Sequence, residues 1–475
     1  MTADSNPLIT DLEAKLGADY VIDATAEAAV PYLTEWRGAF APVARVVVRP
    51  GSTAEVADVV TVAIAYGAAI VPQGGNTGTV GGSAASDPEG QILMNLERLT
   101  AVREIDTDNA TMTVEAGTTL ADAQQAAEAA GFYLPIALAS RERCRIGGNL
   151  ASNAGGLNVI RYGNTRDQVL GLEVVTADGR IWDNLTGLRK DNSGYDLNDL
   201  FVGSEGTLGV ITACVLSLAH PPRQRGVAFC AVRDATAAVR IQRALRDETG
   251  DQVTGCELMS RQALALAVAH TEDCEWPFEP RHDWYLLIEV ATAARGDWLA
   301  GLFNAALAAA QKRGDILDLA VAETDADQRT LWRLRESIPA AQTAEGASIK
   351  HDISLPVSRL PAFLAAAADD VAAVVPGIRP CAFGHVGDGN LHFNLSCPLE
   401  MTAKDFRARE ADLNRAVHDR VAAMHGSIAA EHGVGRLKVD EIVRLKPAVE
   451  IDMLRAIKKA LDPNNRMNPG VLVRI

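Results

Sequence analysis

Pro72-Gln73-Gly74-Gly75-Asn76-Thr77-Gly78-Thr79-Val80-Gly81-Gly82-Ser83 is the stretch on which the fold turns. It follows a short apolar run, Ala69–Val71, that reads as a strand. Before that, Ser52 and Glu55 form a capping box that opens an amphipathic helix reaching about Tyr66, and Arg45–Arg49 (R-V-V-V-R) reads as the preceding strand. Clustered glycines after a strand let backbone N–H groups converge on an anion. Three more glycine-rich stretches occur in the first half, at 147–156, 161–163 and 203–209. Taken singly, each is more readily an ordinary turn. Taken together, with Asn and Ser interleaved, they suit an elongated ligand with a pyrophosphate and a flat ring system. None fits G-x-G-x-x-G and none carries G-K-[ST], so neither the Rossmann fingerprint nor the P-loop is present.

Outward from that loop, strand and helix patterns alternate, which points to an α/β or α+β class, and the reading adopted is α+β. Leu172–Thr176 and Arg180–Trp182 flank Ala177-Asp178-Gly179 as a hairpin, Val210–Leu218 is an apolar strand, and His220-Pro221-Pro222 reads as a linker. Beyond it the period changes. Strands near Gly226–Val232, Trp284–Val290 and Ile349–Leu355, separated by Ala-rich helices, predict an antiparallel sheet with helices on one face. Further helices are expected from about Thr402 to His425 and from Val449 to Leu461. The 475 residues allow two or three domains, divided here as 1–220, 221–425 and 426–475.

A formal charge of −16 argues against nucleic acid or an anionic membrane as partner. The longest apolar run, Val59–Val71, ends at Pro72 and is too short to span a bilayer, and the acidic N-terminal residues do not resemble a signal peptide. The seven cysteines stand at least sixteen residues apart, which excludes C-x-x-C and iron–sulfur runs. These features predict a cytoplasmic protein with reduced thiols. Electrons from any redox chemistry would have to leave to something outside this chain.

The second half carries His385 and His392 in F-G-H-V-G-D-G-N-L-H-F-N, then Glu431 and His432 in A-E-H-G-V-G-R. Two histidines and a carboxylate suit a divalent transition metal with open positions; a hydrogen-bonded core cluster is the plainer alternative. Asp388-Gly389-Asn390 is a turn signal able to fold His385 back toward His392, and a strand would put His392 and Asn394 on one face. His270, His418 and His425 lie on helical patterns without a partner motif and read as structural.

The 72–83 loop, I-G-G-N-L-A-S-N-A-G-G-L-N-V-I-R-Y-G (146–163) and L-R-K-D-N-S-G-Y-D-L-N-D-L-F-V-G-S-E-G-T-L-G-V-I-T (188–212) together resemble the FAD-linked oxidases of the vanillyl-alcohol oxidase type. Within them the chain is similar to the D-2-hydroxyglutarate dehydrogenases and their D-lactate and glycolate dehydrogenase relatives. The resemblance runs from about Arg37 to the C-terminus. It implies an FAD-binding domain, a cap domain and a C-terminal segment that returns to the flavin. It assigns Gly74, Gly75, Asn76, Thr77, Gly78 and Ser83 to the pyrophosphate, and Gly147, Asn153 and Ile211 to the rest of the cofactor. No histidine precedes His220, so the FAD is expected to be non-covalent. By the same resemblance His385, His392 and Glu431 bind zinc, or another divalent transition metal, and His432 is the catalytic base. Asn394 joins the substrate site. Electron-transfer flavoprotein is the implied acceptor, and a homodimer is the expected assembly.

For the substrate's distal carboxylate the resemblance points to Arg335 and Lys350. Their plainer fate is surface pairing with Glu336 and Asp352. The family's threonine four residues after the arginine is Pro339 here, which offers neither a hydroxyl nor an N–H. D-lactate, D-malate and glycolate therefore stay open beside D-2-hydroxyglutarate, as does a non-catalytic flavoprotein subunit.

Overall fold

The structure, a computed structural model, describes residues 6–475 and divides into two compact units. The first comprises the chain up to Gly156, then Gly163–His220 and Glu431–Ile475; the second comprises Leu157–Tyr162 and Pro221–Ala430. The division at His220 falls at the proline-rich linker. The tail segment joins the first unit from Glu431 rather than from 426, and the short stretch 157–162 groups with the second.

In the first unit, β1 (Val21–Asp23), β2 (Val46–Val48), β3 (Ala69–Gln73) and β4 (Gln91–Asn95) form a four-stranded sheet in the order β1-β2-β4-β3. The β2, β4 and β3 strands run parallel. The helix Thr53–Ala65 crosses between β2 and β3, its start capped by Ser52, whose hydroxyl accepts from the Glu55 N–H. Glu55 reaches back to the Gly51 N–H at 2.7 Å rather than to Ser52. Val56, Val59 and Val60 of this helix bury against Val46, Ile70 and Ile92, and β-branched residues that weaken an isolated helix are held by that packing. A second sheet of β5 (Val102–Asp106), β6 (Thr111–Glu115), β7 (Val169–Thr176), β8 (Ile181–Asp183) and β9 (Gly209–Ser217) is antiparallel throughout, in the order β5-β6-β9-β7-β8. Gly179, at φ +83°, makes the β7–β8 turn, and the Thr176 N–H donates to the Arg180 carbonyl.

The second unit is built on an eight-stranded antiparallel sheet: β10 (Gln224–Val232), β11 (Val253–Ser260), β12 (Trp284–Thr292), β13 (Ile316–Val321), β14 (Ser348–Ile349), β15 (Asp352–Ser354), β16 (Arg379–His385) and β17 (Asn390–Ser396). The path is β13-β10-β12-β11-β16-β17-β14, with β15 also on β17. Helices meet this sheet from both sides rather than from one. Val227, Phe229 and Ala231 pack with Ala263, Leu264 and Ala267 of the helix Arg261–His270. On the other face a Cβ built at Gly226 would lie 3.0 Å from Phe303 of the helix Leu299–Lys312. The unbroken run Val227–Val232, buried at every position, requires both covers.

Two expected elements are interrupted. Ile349–Leu355 is split into β14 and β15 because the His351 N–H goes to the Asn394 side-chain oxygen at 3.0 Å instead of a ladder carbonyl. The helix expected over 402–425 is Ala403–Ala408 and Glu410–Ala423, broken where Arg409 leaves helical geometry at φ −97°, ψ 4°.

Candidate active site

The loop after β3 opens a cleft in the first unit of about 160 Å³. Gly74, Gly75, Asn76, Thr77, Gly78 and Ser83 line it, together with Gly147, Ile211 and His432. The glycines do two different jobs. A Cβ at Gly75 would sit 1.9 Å from the Arg143 carbonyl oxygen, so this residue is glycine to let two backbones touch. A Cβ at Gly78 or Gly148 meets nothing within 4 Å, so at these two positions bare backbone faces open space. An elongated anionic cofactor fits such a wall, where N–H groups can be approached without side chains in the way.

Asn153 has a local structural role. It does not line the cleft; at φ +49° it caps the helix Ile146–Ser152, and its side-chain oxygen accepts from the Arg166 N–H at 2.9 Å. Asn tolerates the left-handed conformation better than most residues, which is why it stands at that stop.

Glu205 lines the cleft and was not singled out from the sequence. Its two carboxylate oxygens accept from the Val434 N–H at 2.8 Å and the Gly435 N–H at 2.7 Å, fixing the backbone just after His432. Burial pushes this carboxyl up to about 7, against the opposing pull of those two N–H groups and of Lys438. Glu431 is held in the same unit by the Gly156 N–H, which donates to its carboxylate at 2.6 Å. No strand forms at 431–435, where Gly433 and Gly435 have φ of +81° and +55°.

In the second unit β16 and β17 form the hairpin that brings His385 and His392 together, their ring centroids 5.6 Å apart and the planes at 77°. The turn between them is tied by the Gly389 N–H to the His385 carbonyl and by the Asn390 N–H to the Asp388 carboxylate. Behind each ring stands a carboxylate. His385 Nδ1 lies 2.6 Å from Glu257 Oε1, and His392 Nδ1 lies 3.8 Å from Asp352 Oδ1. Two imidazoles on one hairpin, each backed by an acid, are a donor set that suits a first-row divalent metal. His351 shows the contrasting structural pattern, with one ring nitrogen at 2.9 Å from the Phe393 carbonyl and the other at 2.9 Å from Asn414 Oδ1.

Arg335 is only 5% exposed, and its partner is not the neighbouring Glu336. Its Nε donates to Glu257 Oε2 at 2.8 Å, and its guanidinium lies 4.9 Å over the Phe383 ring. Glu257 is fully buried. Burial alone would push its carboxyl up, yet His385 and Arg335 hold it down at about 2. Lys350 is exposed at the break between β14 and β15. Asn394 uses one donor and one acceptor on its own unit, giving to Gln342 at 2.8 Å and accepting the His351 N–H. Pro339 sits in the first turn of the helix Ile338–Glu345, where a missing N–H is tolerated.

Residues 221–472 match the model described as "FAD linked oxidases, C-terminal domain", and residues 44–184 match "FAD binding domain". A D-2-hydroxyglutarate dehydrogenase of Xanthomonas citri pv. viticola is 36% identical over 93% of this chain and 92% of its own length. A D-2-hydroxyglutarate–pyruvate transhydrogenase of Saccharomyces cerevisiae is 32% identical over 96% and 92%. Among solved structures, p-cresol methylhydroxylase with substrate bound aligns at a TM-score of 0.78 and 18% identity, over 99% of this chain and 97% of that one. The flavoprotein oxidase fold, the cleft of bare glycine backbone and these matches agree: the chain belongs to the FAD-linked oxidase family, among its D-2-hydroxyglutarate dehydrogenase relatives.

Proposed function

We propose that this chain oxidises D-2-hydroxyglutarate to 2-oxoglutarate. The observation that carries the reading is the hairpin pair His385 and His392, each with a carboxylate behind Nδ1, in a chain whose relatives bear that enzyme's name. In this reading His385, His392 and Glu431 would hold a divalent transition metal, whose Lewis acidity lowers the pKa of the substrate's 2-hydroxyl. FAD, held by Gly74–Gly78, Ser83, Gly147 and Ile211, supplies the two-electron acceptor for the hydrogen on C2. His432 takes the hydroxyl proton as the general base. Glu205 holds the Val434 and Gly435 N–H groups and so steadies the loop that carries His432. Arg335 and Lys350 bind the distal carboxylate; with Nε on Glu257, the contact falls to the arginine's Nη groups. Asn394 lends its carboxamide to the substrate pocket.

Electron-transfer flavoprotein is the proposed acceptor, with a 2-oxo acid as the alternative that the yeast relative's name suggests. Among the described residues no helix is long and apolar enough to cross a membrane, and a cytoplasmic location is part of the proposal. A second reading, oxidation of D-lactate, D-malate or glycolate, is favoured by Pro339 and by the engagement of Arg335 with Glu257.

Anaerobic stopped-flow bleaching of the flavin with a panel of 2-hydroxy acids separates the two. D-2-hydroxyglutarate should give a kcat/KM at least about tenfold above D-lactate, the equivalent of about 1.4 kcal/mol. Faster bleaching by D-lactate, D-malate or glycolate would establish the second reading. A yellow protein that no 2-hydroxy acid bleaches would point to a non-catalytic subunit.

A further inference from the structure

Glu257 lies on β11 directly opposite His385 on β16, in the middle of the sheet and with no exposed surface. A buried carboxylate is costly, and an apolar residue of similar size is often neutral or better for stability. Here each of its oxygens has a separate hydrogen-bonding partner, Oε1 with His385 Nδ1 and Oε2 with Arg335 Nε. The two contacts fix the plane of the carboxylate from both ends. An imidazole that gives its Nδ1 proton to a carboxylate keeps its lone pair on Nε2, which settles the tautomer and the rotation of the ring together. The Arg335 guanidinium carbon lies 4.9 Å from the Phe383 ring centroid, and that ring's centroid lies 5.0 Å from the His392 ring centroid. One connected set of contacts therefore runs from the Arg335 guanidinium through Glu257 to the first histidine, and through Phe383 to the second.

We propose that Glu257 is the positioning residue of the metal centre: it fixes the tautomer and orientation of His385 for metal binding, and Arg335 locks Glu257 in place from the other side. This rests on the reading that His385 and His392 bind a metal. Partners of this kind, when removed, typically cost about 10–100-fold in metal affinity. A purely structural ion pair predicts a change in stability and none in affinity.

The test uses the full-length flavoprotein, stripped of metal and titrated with Zn²⁺ against a chromophoric chelator, with the visible absorption of the Co²⁺ form as a second readout. Glu257→Gln should bind Zn²⁺ about 10–100-fold more weakly with normal FAD content, and its Co²⁺ bands should shift. Because Gln leaves the Arg335 charge unbalanced, Glu257→Leu/Arg335→Met provides a variant without a buried unpaired charge, and its loss should be at least as large. Arg335→Met alone keeps the His385 contact but releases the other side of Glu257, and should weaken Zn²⁺ binding by less than Glu257→Gln does; an affinity equal to wild type would remove Arg335 from the role. Wild-type-like affinity and Co²⁺ bands in both Glu257 variants, with His385→Ala losing the metal, would overturn the role of Glu257 and leave the metal reading standing. A wild-type protein that binds no Zn²⁺ would overturn both.

Discussion

Glu205 shows how much a single side chain carries in this protein. It adopts φ +52°, unusual for a residue with a Cβ, and both oxygens go to backbone N–H groups just past His432. Its pKa is raised in the folded chain to about 7 from an ordinary 4.5, chiefly by burial, with Lys438 and the two N–H groups opposing. The folded state therefore binds more protons than the unfolded state between these values. The contribution is whole below pH 4.5 and is lost as pH rises through 7, so stability should fall across that window by about 3 kcal/mol. Urea midpoints at several pH values should show this fall in wild type and its absence in Glu205→Gln. An unchanged pH slope in that variant would assign the effect elsewhere. The glycine-rich stretch around Glu205 was legible as ligand-facing, but its partner lies 229 residues along the chain, a separation no local spacing can reveal. Glu257 was missed for a different reason. It is one acid in the middle of an apolar strand, outside every motif, although an isolated charge in such a run already signals a buried partner.

At the scale of elements, the β16–β17 hairpin was the most legible part of the site. Asp388-Gly389-Asn390 announced the turn, and the structure folds His385 back to His392 across it. Gly389 stands at φ +92°, and a Cβ there would lie 2.1 Å from the Leu355 carbonyl oxygen. Gly389→Ala should cost at least about 2 kcal/mol, from left-handed strain of roughly 1–2 kcal/mol plus displacement of the β15 end. The check is the shift in urea midpoint; a shift equivalent to less than about 0.5 kcal/mol, the size of a neutral surface change, would show the turn to be pliable. What could not be read were the interruptions. His351 looks like the middle of one strand until the Asn394 side chain takes its N–H, and that contact depends on a neighbouring strand. Likewise, the sequence reading put helices on one face of the large sheet, whereas the run at 227–232 is covered on both, and which helix covers which face is decided by packing.

Over the whole molecule, the first unit is assembled from both ends of the chain. Buried Lys458 donates to the Thr207 and Met467 carbonyls, each at 2.7 Å, and pairs with Asp462 at 2.5 Å. The Asn468 amide donates to the carbonyls of Gly82 and Glu205, two residues that line the cleft. Removing residues 462–475 should therefore strip the flavin: the purified protein should lose most of its absorbance near 450 nm, on the order of the loss expected when several buried hydrogen bonds vanish at once. Full FAD content in that truncation would show that the tail is dispensable for the cofactor.

That discontinuity has a consequence for the order of synthesis. The strands and glycine loops of the first unit leave the ribosome well before Glu431, with the whole stretch from Pro221 to Ala430 still to be translated. At ~5–20 residues per second that delay is on the order of ten to forty seconds. During it, the cleft lacks the segment that closes over Glu205 and Gly82, while the intervening unit is free to fold as a separate body. Until the segment from Glu431 onward is made, the first part of this unit stands without the contacts that segment brings to Gly82 and Glu205.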